Sequence, residues 1–278
     1  MTVSLPRMLT VAGFSAAVSL SACLSSQARE IEVGDLYDLP PADVVFLGEV
    51  HDNATHHAHQ AIAVEAIGAK ALVFEMLTDA QALRVTPEVR GDAAALGHVL
   101  GWEASGWPEF EMYYPIFVAT DAAVFGGALA RDDVRRAVSD GAAAVMGASA
   151  AVFGLDDALD DEEQLLRESG QMLSHCNALP EEMLGGMVEA QRLRDAALAR
   201  AVIAAHAETG GPVAVITGNG HARNDWGIPR ALSRAMPGLS QLSIAQFEGA
   251  PEGSVPYDLW LVTEAAERED PCLAFSDR

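Results

Sequence analysis

The sequence predicts an α/β fold: a mostly parallel central sheet with flanking helices and a large helical cap insertion. Three observations carry this. Short apolar runs recur along the chain, at 44–47 ("VVFL"), 72–74 within "KALVFEM", 213–217 ("VAVIT"), 239–244 and 259–262. They read as buried strands, because strands covered on both faces are continuously apolar rather than alternating. Between the first two lies a helical pattern at 55–69, and strand, helix, strand at that spacing is a parallel unit with a right-handed crossover. Finally, most of 78–205 reads as helix, which places a long insertion between the early and late strands.

The elements follow in order. Asn53 is a fitting N-cap for the 55–69 helix. Helices are expected over 78–100, 109–124 and 155–174. Residues 123–130 ("AVFGGALA") form a weak strand, since two glycines interrupt it. Pro180-Glu181-Glu182 opens a long helix to about residue 206, with proline at its start and acids in the first turn. Residues 90–205 are read as a cap over one edge of the sheet, and no linker divides 41–278, which is taken as one domain.

Composition excludes some functions. The chain has 278 residues, half of them apolar, with a formal net charge of −23. Such acidity disfavours nucleic acid, which needs a basic face. Residues 1–22 combine Arg7 with a short apolar stretch and read as a signal peptide, too short to span a bilayer. The stretch ends in Leu20-Ser21-Ala22-Cys23, which looks like a bacterial lipobox with Cys23 as the lipidated residue, followed by a tether over 23–40. Leu24 after the cysteine favours the outer membrane. The remaining pair, Cys176 and Cys272, favours a disulfide in an oxidising compartment, with free thiols as the alternative.

In an open parallel sheet, ligands bind outside the carboxyl ends of the strands. Three strand ends carry ionisable residues: Gly48-Glu49-Val50-His51, then Glu75, then Gly218-Asn219-Gly220-His221. Glu49, His51, Glu75 and His221 are therefore expected in one pocket. Two imidazoles with two carboxylates suit a divalent transition metal. They equally suit acid/base hydrolysis, with a glutamate orienting a histidine that activates water. His56, His57 and His59 fall in the first turns of a helix. They are expected mostly at its surface or satisfied by hydrogen bonds, and with low pKa values, since the helix dipole disfavours a cation there; the alternative is that His57 or His56 edges the pocket. Residues 101–117 ("GWEASGWPEFEMYYPIF") gather Trp102, Trp107, Phe110, Tyr113, Tyr114 and Phe117. This cluster reads either as a local core or as a wall for a flat apolar ligand, with a tyrosine offered to iron.

These stretches, with "LVFEM", "HCNALPEEMLGGMVEAQRLRDAALA", "ITGNGHARNDWGIPRAL" and "EREDPC", resemble the ChaN-type haem-binding uptake lipoproteins of the Tiki, TraB and erythromycin-esterase superfamily. The resemblance runs over nearly the whole mature chain. It implies a periplasm-facing lipoprotein linked to iron acquisition, an α/β core with a helical lid, and haem held partly by the lid, in a homodimer. It places the iron ligand at Tyr113, with Trp107 at the family's spacing before it. Tyr114 departs from the family's more usual polar or basic residue and leaves the choice of tyrosine open. Arg131 stands where relatives tend to end a firmer strand. In the hydrolytic branches the shared acids and histidines, here Glu49, His51, Glu75 and His221, carry the chemistry. Given haem, Met183 and Met187 are candidates to line the porphyrin. Arg223, Arg194 and Arg192 are candidates for its propionates, and His175 is a candidate distal ligand.

Overall fold

The computed structural model describes Met1 and residues 28–273. Cys23 and the sequence around it lie outside the described residues. Among those described, no helix is long and apolar enough to cross a membrane.

Seven strands form one sheet: β1 (Arg29–Glu30), β2 (Val44–Glu49), β3 (Ala71–Phe74), β4 (Ala123–Gly126), β5 (Val213–Gly218), β6 (Gln241–Phe247) and β7 (Leu259–Val262). Their order is β1-β7-β6-β2-β5-β3-β4, and every neighbouring pair is parallel. Every residue of β2, β3 and β5 is buried, as their unbroken apolar runs require. Alternation still sorts the side chains: Val45 and Leu47 enter the core on one face, Val44 and Phe46 the core on the other.

The first face is covered by α1 (Ala54–Ala66) and, after the short turns α2 (Asp79–Ala82) and α3 (Pro87–Arg90), by α4 (Ala93–Leu100) and α5 (Phe110–Val118). Asn53 caps α1 by accepting a hydrogen bond from the Thr55 amide at 3.0 Å. The helix expected over 78–100 is broken into three. Pro87 forces Thr86 into an extended conformation, and Asp92 caps a fresh start at α4.

On the second face lie α6 (Arg131–Asp140), α7 (Ala142–Met146), α8 (Asp161–Ser174), α9 (Glu181–Thr209), α10 (Asn219–Ala222) and α11 (Ile228–Ala235). The expected cap therefore divides. Helices α6 to α8 and the start of α9 form it. The rest of α9, with Ala196, Ala199, Val202 and Ala205 buried, packs on the sheet itself, and β4 extends the sheet. Cys176 and Cys272 are disulfide-bonded, tying the turn after α8 to the C-terminal segment.

Candidate functional site

The chain leaves β2 through α1 toward β3 on one side, but leaves β5 toward β6 on the other. Such a reversal opens a crevice at the carboxyl ends of the central strands. Glu49 closes β2, Glu75 follows β3, and His221 sits in α10 just after β5. The four residues expected together do converge on this edge. They form two hydrogen-bonded clusters rather than one set of open ligands.

Glu49 anchors the first cluster and is 2 % exposed. Its Oε1 accepts from His51 Nδ1 at 2.7 Å and from the Tyr113 hydroxyl at 2.8 Å, and its Oε2 from Gln60 Nε2 at 2.7 Å. Burial alone would raise its pKa, but hydrogen bonds from His51 and His57 overcome this and hold it at about 2. The neighbours of His57 are all acceptors. Its Nε2 lies 2.9 Å from the His51 carbonyl, and its Nδ1 lies 3.2 Å from Gln60 Oε1 and 3.4 Å from Glu49 Oε2. Gln60 is fixed in this orientation because its amide nitrogen donates to Leu47 O and Glu49. These surroundings favour the protonated ring, and Glu49 raises the pKa of His57 against the effect of burial.

His56 is the opposite case. Its Nδ1 accepts from the Val50 amide at 2.9 Å, which makes the ring neutral, and Nε2 donates to Thr263 Oγ1 at 2.8 Å. Burial pushes its pKa down to about 4. His59 donates from Nδ1 to Gln246 Oε1 at 2.8 Å. The expectation that these three histidines are mostly at the helix surface is thus corrected: His56 and His57 are 0 % exposed and His59 8 %. The low pKa holds for His56 and is reversed for His57, where the nearby carboxylate outweighs the helix dipole.

Glu75 anchors the second cluster. Its Oε2 accepts from Thr217 Oγ1 at 2.7 Å and the Gly218 amide at 2.8 Å, and its Oε1 pairs with Arg194 at 2.5 Å. His221 Nε2 lies 3.4 Å from the same Oε1, and Nδ1 lies 2.6 Å from Asp195. Burial opposes charge on His221, yet Glu75 and Asp195 together raise its pKa to about 9. Glu75 is held well below the usual carboxylate range by His221 and Arg194, despite complete burial. Gln191 brings its amide to 3.1 and 3.2 Å from the two His221 nitrogens.

Gly218 joins the clusters. A Cβ there would sit 2.9 Å from His51 Nε2 and 3.8 Å from Glu75 Oε2, so the bare backbone makes room for the histidine. His51 keeps a half-buried ring with Trp107 edge-on at 4.9 Å. Its pKa is raised, since Glu49 outweighs burial. A carboxylate-oriented imidazole of this kind can act as a general base.

The transition-metal reading is not supported by this geometry. Among the described residues no group of three or more His, Cys, Asp or Glu side chains is arranged to hold a metal ion. The oxygens of Glu49 and Glu75 are committed to N–H and O–H donors, and both nitrogens of His57 and His221 face protein partners.

Two cavities lie beside the clusters. One, of about 660 Å³, is lined by His175, Met183, Met187, Arg194, Arg223 and Trp226 among others. The second, of about 780 Å³, is lined by Glu75, Trp107 and Arg131, and shares Val134, Arg135 and Arg194 with the first. Five of the residues singled out for a porphyrin thus meet in one cavity. Arg223 is paired with Asp225 at 2.7 Å and stacks on Trp226 at 3.6 Å. Arg192 is turned away, bound to Glu189 and to the carbonyls of Gly154 and Asp157. Neither tyrosine lines these cavities. Tyr113 is 0 % exposed, and burial with Glu49 beside it pushes its hydroxyl far above the ordinary phenol pKa. Tyr114 is half-buried against Phe110.

Sequence reading did not find Asp195 or Gln60, and it offered His57 only as an alternative at the edge of the pocket. The available signal for Asp195 was an acid set in the run Ala196-Ala197-Leu198 of a long helix, where a lone charge on a small-residue face needs a partner.

The fold and strand-end site define an all-parallel α/β protein with a Glu/His crevice beneath a helical cap. Residues 36–232 match the family model described as haem-binding uptake, Tiki superfamily, ChaN. The chain belongs to this family. Its fold is similar to a structure described as cofacial heme binding to ChaN of Campylobacter jejuni, with TM-score 0.60 and 19 % identity over 82 % of this chain and 89 % of that one. Fainter likenesses are to the type III effector HopBA1 (TM-score 0.46, 12 % identity, 84 % and 92 % covered) and to a Bacillus cereus protein (TM-score 0.35, 14 % identity, 78 % and 69 % covered). A search of curated proteins finds no match.

Proposed function

We propose that this protein binds haem in the cavity of about 660 Å³ beneath the cap, as part of haem or iron uptake. The observation that carries the reading is the make-up of that cavity. Its volume lies within the roughly 300–1,000 Å³ usual for cofactor-sized ligands. Its walls include Met183, Met187, Val138, Val188 and Trp226, and arginines line it in a chain of net charge −23. Soft and aromatic walls suit a porphyrin, and guanidinium groups suit its propionates. Arg194, Arg135 and Arg223 line the cavity and are the candidates; each would share itself with a carboxylate it already pairs, Glu75, Asp132 and Asp225 respectively.

The test is a haemin titration of the purified chain, followed in the Soret band, against Gly170→Trp. Gly170 lines the cavity, and a Cβ there meets nothing within 4 Å, so the backbone tolerates a bulky side chain at the cavity wall. Saturable binding that weakens roughly tenfold or more in the variant, at unchanged circular dichroism, is expected. Equal binding by the variant places haem elsewhere, and no saturable binding ends the reading.

The lipobox supports anchoring through Cys23 at the outer membrane, facing the periplasm; Cys23→Ser should then move the protein from the membrane to the soluble fraction. Leu165, Leu166 and Leu173 are exposed on α8, one wall of the cavity, and support a homodimer that covers this face. Sedimentation with and without haemin tests it. A second reading, acid/base hydrolysis, is favoured by the Glu49-oriented, half-buried His51. Turnover of ester or peptide substrates that is lost in His51→Ala would support it.

A further inference from the structure

We propose that a small pocket between α8, α9 and α11 binds a tetrahedral oxyanion that keeps a proton, which is inorganic phosphate or the head of a phosphate monoester. The pocket has a volume of about 50 Å³. It adjoins the cavity of about 660 Å³ and shares Arg167 and Trp226 with it. A single water needs about 10–15 Å³ of such space, so there is room for a group of a few atoms.

Four arginines line the pocket, Arg167, Arg192, Arg230 and Arg234. They are four of only 17 basic side chains in a chain of net charge −23. Arg192 is committed to Glu189 and to backbone carbonyls. Arg230 gives Nη1 to Glu163 at 2.6 Å, and Arg234 gives Nη2 to Asp157 at 2.5 Å. Gly154, at φ 72°, lets Arg234 approach: a Cβ there would lie 2.5 Å from Arg234 Nε. Arg167 carries the argument furthest. It is 7 % exposed and lies over the Trp226 ring at 5.2 Å. Its Nε and Nη2 donate to Glu163, but its buried Nη1 has no partner among the described residues. A buried guanidinium N–H left unbonded is costly, and an anion within reach removes that cost.

Asp195 sets the identity of the anion. It lines the same pocket, with Oδ1 bonded to His221 at 2.6 Å and the buried Oδ2 without a partner among the described residues. Burial raises its pKa, and Arg167 is among the charges that oppose the rise. An oxyanion without a hydrogen, such as sulfate, is repelled by Oδ2. Phosphate accepts from guanidinium groups through its bare oxygens and donates from its P–O–H to Oδ2, so one ion satisfies both orphaned atoms. The carboxylate thereby selects against the isosteric competitor. The ion pairs that Glu163 makes with Arg167 and Arg230 tie α8 to α11 and account for those three residues. They do not account for Nη1 of Arg167 and Oδ2 of Asp195. An ordered water bridging those two atoms is the competing occupant.

The experiment is isothermal titration calorimetry of the purified full-length chain at constant ionic strength, with inorganic phosphate, arsenate, sulfate and glycerol 2-phosphate as probes. Phosphate and arsenate should bind saturably, and sulfate roughly tenfold or more weakly, since one charge-assisted hydrogen bond is replaced by repulsion. Arg167→Gln and Arg234→Gln should each weaken phosphate roughly tenfold or more at unchanged circular dichroism. Arg234 is half exposed and pairs with an exposed aspartate, so its variant keeps the fold and decides the matter if Arg167→Gln does not. Binding of glycerol 2-phosphate as well marks the head of a monoester, and its failure beside bound phosphate marks the free ion. No saturable phosphate binding would leave an ordered water only and overturn the proposal. Sulfate binding as tight as phosphate would overturn it too, as would wild-type phosphate affinity in the folded arginine variants.

Discussion

Tyr113→Phe separates a structural tyrosine from an iron ligand. The hydroxyl donates to Glu49 Oε1 at 2.8 Å and lies 3.3 Å from the His51 carbonyl, in a region from which water is excluded. A hydrogen bond to a charged group is worth about 1.5–3 kcal/mol. Glu49 keeps His51 and Gln60 as donors, so the loss is one bond and no buried atom is orphaned. The phenyl ring keeps its packing against His57, at 4.0 Å, and Trp102, at 4.9 Å. The variant should therefore fold and lose about 1.5–3 kcal/mol, or roughly 3–12 °C in Tm for a domain of this size. With one donor fewer, Glu49 should also titrate at higher pH, moving the acid limb of unfolding upward. Urea melts at several pH values measure both effects, and a haemin titration on the same samples should show unchanged affinity. Unchanged stability together with lost haem binding would refute the reasoning, because the hydroxyl would then be working at the ligand and not at Glu49.

Three further outcomes follow from the same geometry. His56 is neutral in the fold, with its pKa lowered from 6.5 to about 4, so below 6.5 the unfolded chain binds a proton that the native state refuses. Stability from this residue is complete above pH 6.5 and falls by about 1.4 kcal/mol per unit down to pH 4, a slope that should be missing from urea melts of His56→Gln. His221 has the reverse sign: its pKa is raised from 6.5 to about 9, so its contribution is complete below 6.5 and is lost as pH rises through 9. The alkaline limb should flatten in His221→Gln, and an unchanged limb would mean that the ring is not charged in the fold. At Gly126 a Cβ would run into the backbone of Leu77 and Thr78, so Gly126→Ala should displace β4 at a cost of about 1–3 kcal/mol, seen as faster amide exchange at that edge of the sheet.

The central strands were legible because a strand covered on both faces needs side chains that are apolar throughout, and β2, β3 and β5 have them. Strand β1, only Arg29 and Glu30, has no such pattern and exists through backbone pairing with β7. Glu49, His51, Glu75 and His221 were legible through topology, since parallel strands present their carboxyl ends on one side. The burial of His56 and His59 was not. Their partners, Thr263 just after β7 and Gln246 in β6, lie far along the chain, and local polarity at a helix start says nothing about what packs on it. Asp195 was hidden for the same reason: its partner His221 belongs to a later element, and helical periodicity marks only its face. The helical spacing of Met183, Met187 and Arg194 did place them on one wall of the cavity.

The two clusters also explain why the cavity has a defined shape. Each carboxylate at the sheet edge is bonded to a different layer. Glu49 holds α1 through Gln60 and α5 through Tyr113, while Glu75 holds α9 through Arg194. Asp195, one residue on, meets His221 after β5. The register of α9 against the sheet is thus fixed by two adjacent residues, and α9 carries Met183, Met187 and Gln191 into the cavity on the same rigid helix. Breaking one partner of a buried charged pair costs about 3–5 kcal/mol, because the other charge is left uncompensated. Neutralising Glu75 or Asp195 should therefore loosen α9 and weaken haem binding without either residue touching the ligand. Loss of binding in such variants does not mark a contact residue, and only substitutions on the cavity wall, such as Gly170→Trp, report on the ligand directly.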